Sequence, residues 1–233
     1  MNEISKFLRY TAPGLIFASE LLVAFIFTDT EVLAKLIHAK DTMGNIGLII
    51  SALLASGAVG YFFSQLYFGF YWLWENSIFA IDHRNVFIDF DGKIDITDSR
   101  GNQIAASKLS KRGAQTILIQ YWFAQMKISE SIRGIEPLVG RFYDTMHSIG
   151  TTFVATFISL LAWLFIRFST PSSTGTIKDC IVIFTWIFLM ALICINYYRT
   201  KKSLECLINS TFLETIQKKY GICLPPTPQP LDQ

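Results

Sequence analysis

The sequence predicts an all-α membrane protein of four transmembrane helices, with a small α+β segment (a hairpin plus helices) on the cytosolic side between the second and third spans. Three observations lead there. Apolar residues gather in four long windows, and basic residues fall mostly in alternate gaps between those windows. The one long gap carries patterns that suit folded structure rather than a linker. Overall composition agrees: of 233 residues, 52% are hydrophobic and 16% charged, against about 25% charged in an average soluble domain. Mean hydropathy is +0.39. A soluble core of this size cannot hide so much apolar surface, so membrane lipids are the expected second solvent. A net charge of +2 leaves no electrostatic footprint for nucleic acid, and none is expected as a partner.

The windows are Thr11–Thr28, interrupted only by Glu20; Ile46–Trp74, with no ionised residue; Thr151–Phe168, uncharged until Arg167; and Cys180–Tyr198, without charge. Eighteen or so apolar residues at ~1.5 Å rise cross a ~30 Å hydrocarbon layer. The second window exceeds that, so its aromatic end (Tyr67, Tyr71, Trp72, Trp74) is expected to pass through the interface. Lys6 and Arg9 precede the first window without a clean cleavage site after it, which reads as insertion without cleavage. Of the 20 Lys and Arg, only Lys35, Lys40, Arg167 and Lys178 fall in the first and third gaps. The positive-inside rule therefore places both termini and the middle segment in the cytosol, as for a multi-pass protein of a bacterial-type inner membrane. The expected division is 1–74 (first helix pair), 75–148 (cytosolic segment), 149–198 (second helix pair) and 199–233 (C-terminal helix and Pro-rich tail).

Within the gaps, Val32, Leu33, Leu36 and Ile37 are spaced as a short amphipathic turn on the outer membrane surface. Ser169–Lys178 is a Ser/Thr/Pro/Gly-rich connection. In the middle segment Val86–Phe90 alternates, Asp91-Gly92 is a hairpin turn, and Ile94 and Ile96 resume the alternation. A helical pattern runs from about Ser107 to Ile128, and another turn of helix at Ser129–Glu136 is expected to break or kink near Pro137. Leu138–His147 then leads into the third span. The tail is helical from Leu204 to Tyr220 before its prolines.

Glu20 is the residue most open to a functional reading. At mid-span an ionised carboxylate costs at least ~2.5 kcal/mol, so it must face the bundle interior or a cavity. Either it handles protons or cations, or it clamps helices together. Gln65 is a second intramembrane polar group. On the second span Ser51, Ala55, Ser56, Gly57 and Gly60 supply small-x-x-x-small pairs that let backbones approach, within one subunit or between copies of a homo-oligomer.

Arg141, Asp144 and His147 form R-x-x-D-x-x-H, whose steps of three keep neighbours on one helix side as a juxtamembrane polar network. The Arg141–His147 spacing also resembles the R-x4-6-H pair of HEPN ribonucleases. That resemblance covers seven residues and implies RNA cleavage by Arg141 and His147, although Phe142 stands where the family usually has a polar residue. Asp89, Asp91, Asp95 and Asp98 do not match an EF-hand, since Gly92 directly follows Asp91 and no Glu closes a loop. His83, between Asp82 and Arg84, reads as a solvated surface residue. Cys180, Cys194, Cys206 and Cys223 show neither metal-site nor disulfide spacing and read as packing thiols.

No phosphate-binding glycine loop, H-E-x-x-H or G-x-S-x-G appears, so no enzyme, metal or cofactor is expected. The expectation is an oligomeric inner-membrane sensor, effector or scaffold that couples to a cytosolic protein partner. By analogy of architecture, compact four-span proteins often serve bacterial stress or antiphage (antiviral) defence. The rivals are an oligomeric ion channel or pore using Glu20 and a membrane-bound HEPN-like ribonuclease.

Overall fold

The computed structural model describes residues 3–28, 45–73, 79–88, 108–126, 130–169 and 176–220. They form six helices: α1 (Glu3–Thr28), α2 (Asn45–Leu73), α3 (Arg84–Ile88), α4 (Lys111–Met126), α5 (Glu130–Ser169) and α6 (Thr176–Tyr220). No strand occurs among the described residues. The hairpin expectation is therefore corrected where it can be read: Arg84–Ile88 is a turn of helix. Asp82 starts it, accepting the Arg84 backbone N–H at 3.2 Å while its two oxygens hold the Arg84 guanidinium at 2.9 and 2.6 Å. The turn at Asp91-Gly92, the aspartates Asp89 to Asp98, the outer turn at Val32–Ile37, Cys223 and the tail's prolines lie outside the described residues.

Three helices contain stretches long and apolar enough to cross a membrane: Tyr10–Thr28, Ile132–Ser169 and Ile177–Thr215. The sequence predicts four. The expected second span is α2, 29 residues long, whose described stretch interleaves Ser56, Gly57, Gly60, Ser64, Gln65 and four tyrosine or tryptophan residues with its aliphatic ones. That mixture keeps the described side chains of α2, 55–73, from forming such a stretch, although the helix is uncharged and apolar over its 29 positions. Rings such as Phe165 (74% exposed) and Phe184 (70% exposed) point away from the protein, as side chains solvated by lipid do.

Pro137 does not break the chain. It lies inside α5, a single helix of 40 residues. Proline removes one backbone hydrogen bond, to the carbonyl of Arg133. Both residues are exposed, so that carbonyl can be solvated at little cost. The fourth apolar window and the tail helix are likewise one element, the 45-residue α6.

By contacts the chain falls into two compact units, one of residues 1–73 with 143–200 and one of residues 74–142 with 201–233. In the first, α1 and α2 touch backbone to backbone. A Cβ at Gly14 would land on the Ser56 carbonyl, and one at Gly60 would land on the Tyr10 carbonyl oxygen. Farther along α2, a Cβ at Gly150 of α5 would strike the Tyr67 ring. On another face Ala24, Leu160, Trp163, Val182 and Trp186 form a buried apolar cluster joining α1, α5 and α6. Arg167 near the end of α5 donates to both oxygens of Asp179 near the start of α6 at 3.1–3.2 Å, tying the two helix ends together.

The second unit has its own core. Ile81, Val86, Leu118, Ile132, Leu204 and Ile208 are nearly inaccessible, and Phe212 of α6 packs between Tyr121 (4.8 Å between centroids) and Phe87 (5.9 Å). Ser110 caps α4, its hydroxyl accepting the Gly113 N–H at 3.1 Å. Residues 74–142 thus share their core with the tail helix.

The glycine contacts yield a prediction. Gly60→Leu cannot be accommodated without separating α1 from α2, and overpacking of this kind costs about 1–3 kcal/mol or more. Ala58→Leu, on an exposed position of the same helix, should cost almost nothing. Thermal unfolding of both variants in detergent measures the difference, and equal midpoints would show that α1 and α2 do not meet there.

Candidate functional site

Glu20 lies near the middle of the first candidate span, half-buried, and both of its oxygens are engaged. Thr156 of α5 donates its hydroxyl to Oε1 at 2.9 Å, and Trp186 of α6 donates Nε1–H to Oε2 at 3.3 Å. One carboxyl group therefore ties three helices. Trp186 is in turn fixed by Trp163, whose ring centre lies 5.6 Å away. Beside Glu20 a groove of about 400 Å³ runs between α1 and α6. Its polar edge is Ser19, Glu20 and Thr185, and its walls include Val23, Phe27 and Leu189. The Thr185 hydroxyl is occupied by its own helix, donating to the Ile181 carbonyl at 2.8 Å.

The small-residue face of α2 is used inside the chain. Ser56 and Gly60 are buried against α1, and Gly57 comes within ordinary contact of the Thr11 hydroxyl, a Cβ there lying 3.7 Å from it. Ala55 is exposed, and the side chain of Ser51 lies outside the described residues. Gln65 is exposed on α2, on the side where Tyr61 and Phe62 are also more than half exposed.

His147 faces α2. Its Nδ1 lies 3.3 Å from the Tyr67 hydroxyl, which is 3.0 Å from the Tyr197 hydroxyl of α6. Its ring is surrounded by Phe68 (4.9 Å), Tyr71 (5.4 Å), Tyr67 (5.6 Å) and a stacked Tyr143 (5.9 Å). The polar network of His147 thus runs sideways into the aromatic end of α2. Asp144 is half-buried one turn earlier, its backbone carbonyl accepting the Ser148 hydroxyl, and Arg141 is exposed.

No protein-family model, curated protein or solved structure matches the chain.

Sequence reasoning singled out Glu20 but missed its partners. The signal was present: Thr156, Ser159 and Trp163 recur at steps of three and four on one face of the third apolar window, and Trp186 is the sole tryptophan of the fourth. His83 is corrected outright. It is fully buried in the second unit, with Nδ1 2.7 Å from the Asn209 amide oxygen. An oxygen partner means that Nδ1 carries the proton, while Nε2 is buried and has no hydrogen-bond partner among the described residues. Burial, opposed by the Asn209 bond and by Asp82, pulls the His83 pKa below its ordinary value. The Arg84 guanidinium holds the Asp82 carboxyl low.

Two predictions follow from these geometries. Glu20→Leu removes the acceptor of two buried donors, at about 1–3 kcal/mol for each group left unsatisfied. Thr156 can turn back to a carbonyl of its own helix but the Trp186 indole cannot, so adding Trp186→Phe to Glu20→Leu should recover part of the loss. A double-mutant cycle on detergent-unfolding midpoints measures it, and additive losses would mean that the two side chains are not coupled. For His83 the sign is fixed by its lowered folded pKa. The unfolded chain binds the proton first, so stability is present above about pH 6.5 and falls as pH drops below it, by up to about 1.4 kcal/mol per pH unit. Replacing both partners, as His83→Phe with Asn209→Leu, should flatten the profile between pH 7.5 and 5.5 in thermal melts of the full chain.

Proposed function

We propose that the chain is a four-span protein of a bacterial-type inner membrane, with both ends cytosolic, in which the Glu20 site acts as the membrane-embedded part of a sensor or effector and the second unit meets a cytosolic protein partner. The observation that carries this reading is the run of α5 and α6. Each supplies residues to both units: Thr156 and Trp186 beside Glu20 in one, Ile132 and Leu204 to the core of the other. At ~1.5 Å per residue, helices of 40 and 45 residues are about twice the thickness of the hydrocarbon layer. A change in how Glu20 is bonded therefore acts on elements that also build the second unit. The joint engagement of both Glu20 oxygens within one subunit supports a helix clamp over a pore-lining group.

The fourth span in this reading is α2. It has no ionised residue over 29 positions, packs backbone to backbone on α1, and shares a compact unit with α1, with residues 143–169 of α5 and with residues 176–200 of α6. Charge alone does not decide the matter. With α2 outside the membrane, the minority side would hold Lys6, Arg9, Arg167 and Lys178, again four of 20. The two topologies differ at the start of the chain: a reporter joined before Met1 should read cytosolic for four spans and external for three. Gln65 supports the oligomer reading, because an exposed amide on a lipid-facing surface is best satisfied by a second copy.

Coupling is tested by hydrogen exchange on the full chain in lipid nanodiscs. Glu20→Gln should change amide protection in α4, residues 111–126, which have no part in the Glu20 site. Unchanged protection there, with altered protection around Thr156, would reduce the site to a local clamp and remove the sensor reading.

A further inference from the structure

We infer that the groove between α1 and α6 beside Glu20 is a binding site for a lipophilic organic cation, an ammonium- or phosphonium-type charge on an apolar body. The inference deepens the proposed sensing role, and rests on it to the extent that Glu20 lies within a membrane span. The groove's volume of about 400 Å³ falls in the ~300–1,000 Å³ range of small-molecule sites. Glu20 is the one ionisable residue among those lining it, and no lining residue carries a positive charge. Thr156 and Trp186 each donate to one Glu20 oxygen and the Ser159 hydroxyl bears on the same carboxyl, whereas its two oxygens together accept about four donors. The carboxylate can therefore meet a cation without giving up the clamp.

The walls suit the rest of such a ligand. Val23, Phe27, Ile181 and Leu189 are all more than a third exposed along the groove, so its open side is a lipid-facing one and a membrane-partitioned molecule reaches it without crossing water. Two aromatic rings, Phe27 and Trp186, are among the lining residues. Lys178 Nζ lies 6.0 Å from the centre of the Phe27 ring, about two helical turns from Glu20, so a ligand's charge belongs at the Glu20 end, away from that ammonium. A neutral lipid chain would match the walls but would leave Glu20 unanswered, and an anion would be repelled by it. Charge complementarity therefore selects the cation.

The test uses the full chain in phosphatidylcholine nanodiscs, with tetraphenylphosphonium as the probe and tetraphenylborate as its counterpart of the same shape and opposite charge. Tryptophan quenching should show saturable binding of the phosphonium and not of the borate, over protein-free nanodiscs. Glu20→Gln keeps an acceptor for Thr156 and should weaken binding roughly tenfold or more, as loss of a desolvated charge pair does. Thr185→Trp fills the groove without removing any contact between helices and should abolish binding while Glu20 remains. Equal saturable binding of the borate, undiminished binding by either variant, or no saturable binding of the phosphonium overturns the inference. Circular dichroism of each variant confirms that it is folded. The reporter before Met1 and the exchange of α4 amides are read independently, so failure of the ligand leaves the topology and coupling results standing.

Discussion

A carboxyl group in the middle of a membrane span must find partners, because lipid offers none. Glu20 finds them on two other helices, and that requirement organises the first unit. The Thr156 hydroxyl and the Trp186 indole sit on α5 and α6, so bonding the carboxyl fixes the rotation of both helices relative to α1. The apolar cluster of Ala24, Leu160, Trp163, Val182 and Trp186 then closes over the same three helices. Apolar packing alone would not settle that rotation, since lipid tails are as good a neighbour for Leu160 or Val182 as another helix is.

The fourth helix of the unit is held by a different device. Between α1 and α2 the decisive fact is the lack of side chains at Gly14 and Gly60, which lets each helix seat against a backbone carbonyl of the other. Such contacts work through dispersion and weak Cα–H to oxygen attraction, each small, and they accumulate only when the helices come close. Farther along α2, Tyr67 lies over Gly150 and its hydroxyl lies between Nδ1 of His147 and the hydroxyl of Tyr197. A polar clamp on one face and small-residue contact on the other are complementary: the first specifies rotation, the second specifies proximity.

What the sequence made legible follows the same division. Apolarity is a property of a window, so the three candidate spans were legible as windows, but Thr151–Phe168 and Cys180–Tyr198 are only parts of apolar stretches of 38 and 39 residues. Glu20 stood out because its cost is local and does not depend on knowing the fold. Its partners did not, because a threonine inside a helix looks like any hydroxyl bonded to its own carbonyl, and only the fold shows that Thr156 turns to α1. His83 was misread for the converse reason. Its neighbours Asp82 and Arg84 are charged and pair with each other, which suggests a surface, while burial is imposed by Asn209, 126 positions away. Val86–Phe90 alternates as a strand would, yet Val86 and Phe87 are both buried, adjacent residues that a one-faced strand would have put on opposite sides. Pro137 marks a break only where the freed carbonyl has nowhere to go, and on α5 both Pro137 and Arg133 are exposed.

The length of α5 and α6 has a consequence for how the two units can behave. A helix interior propagates its hydrogen-bonding pattern one residue at a time, so an element of 40 residues without a break resists bending far more than a loop of the same length. Thr156 and Ile132 sit on that one element, the first bonded to Glu20 and the second buried in the other core. Trp186 and Leu204 stand in the same relation on α6. The proposed sensing role rests on that shared use of two helices: a carboxyl bonded to both of them, rather than to one, bears on both of the elements that also contribute to the second core.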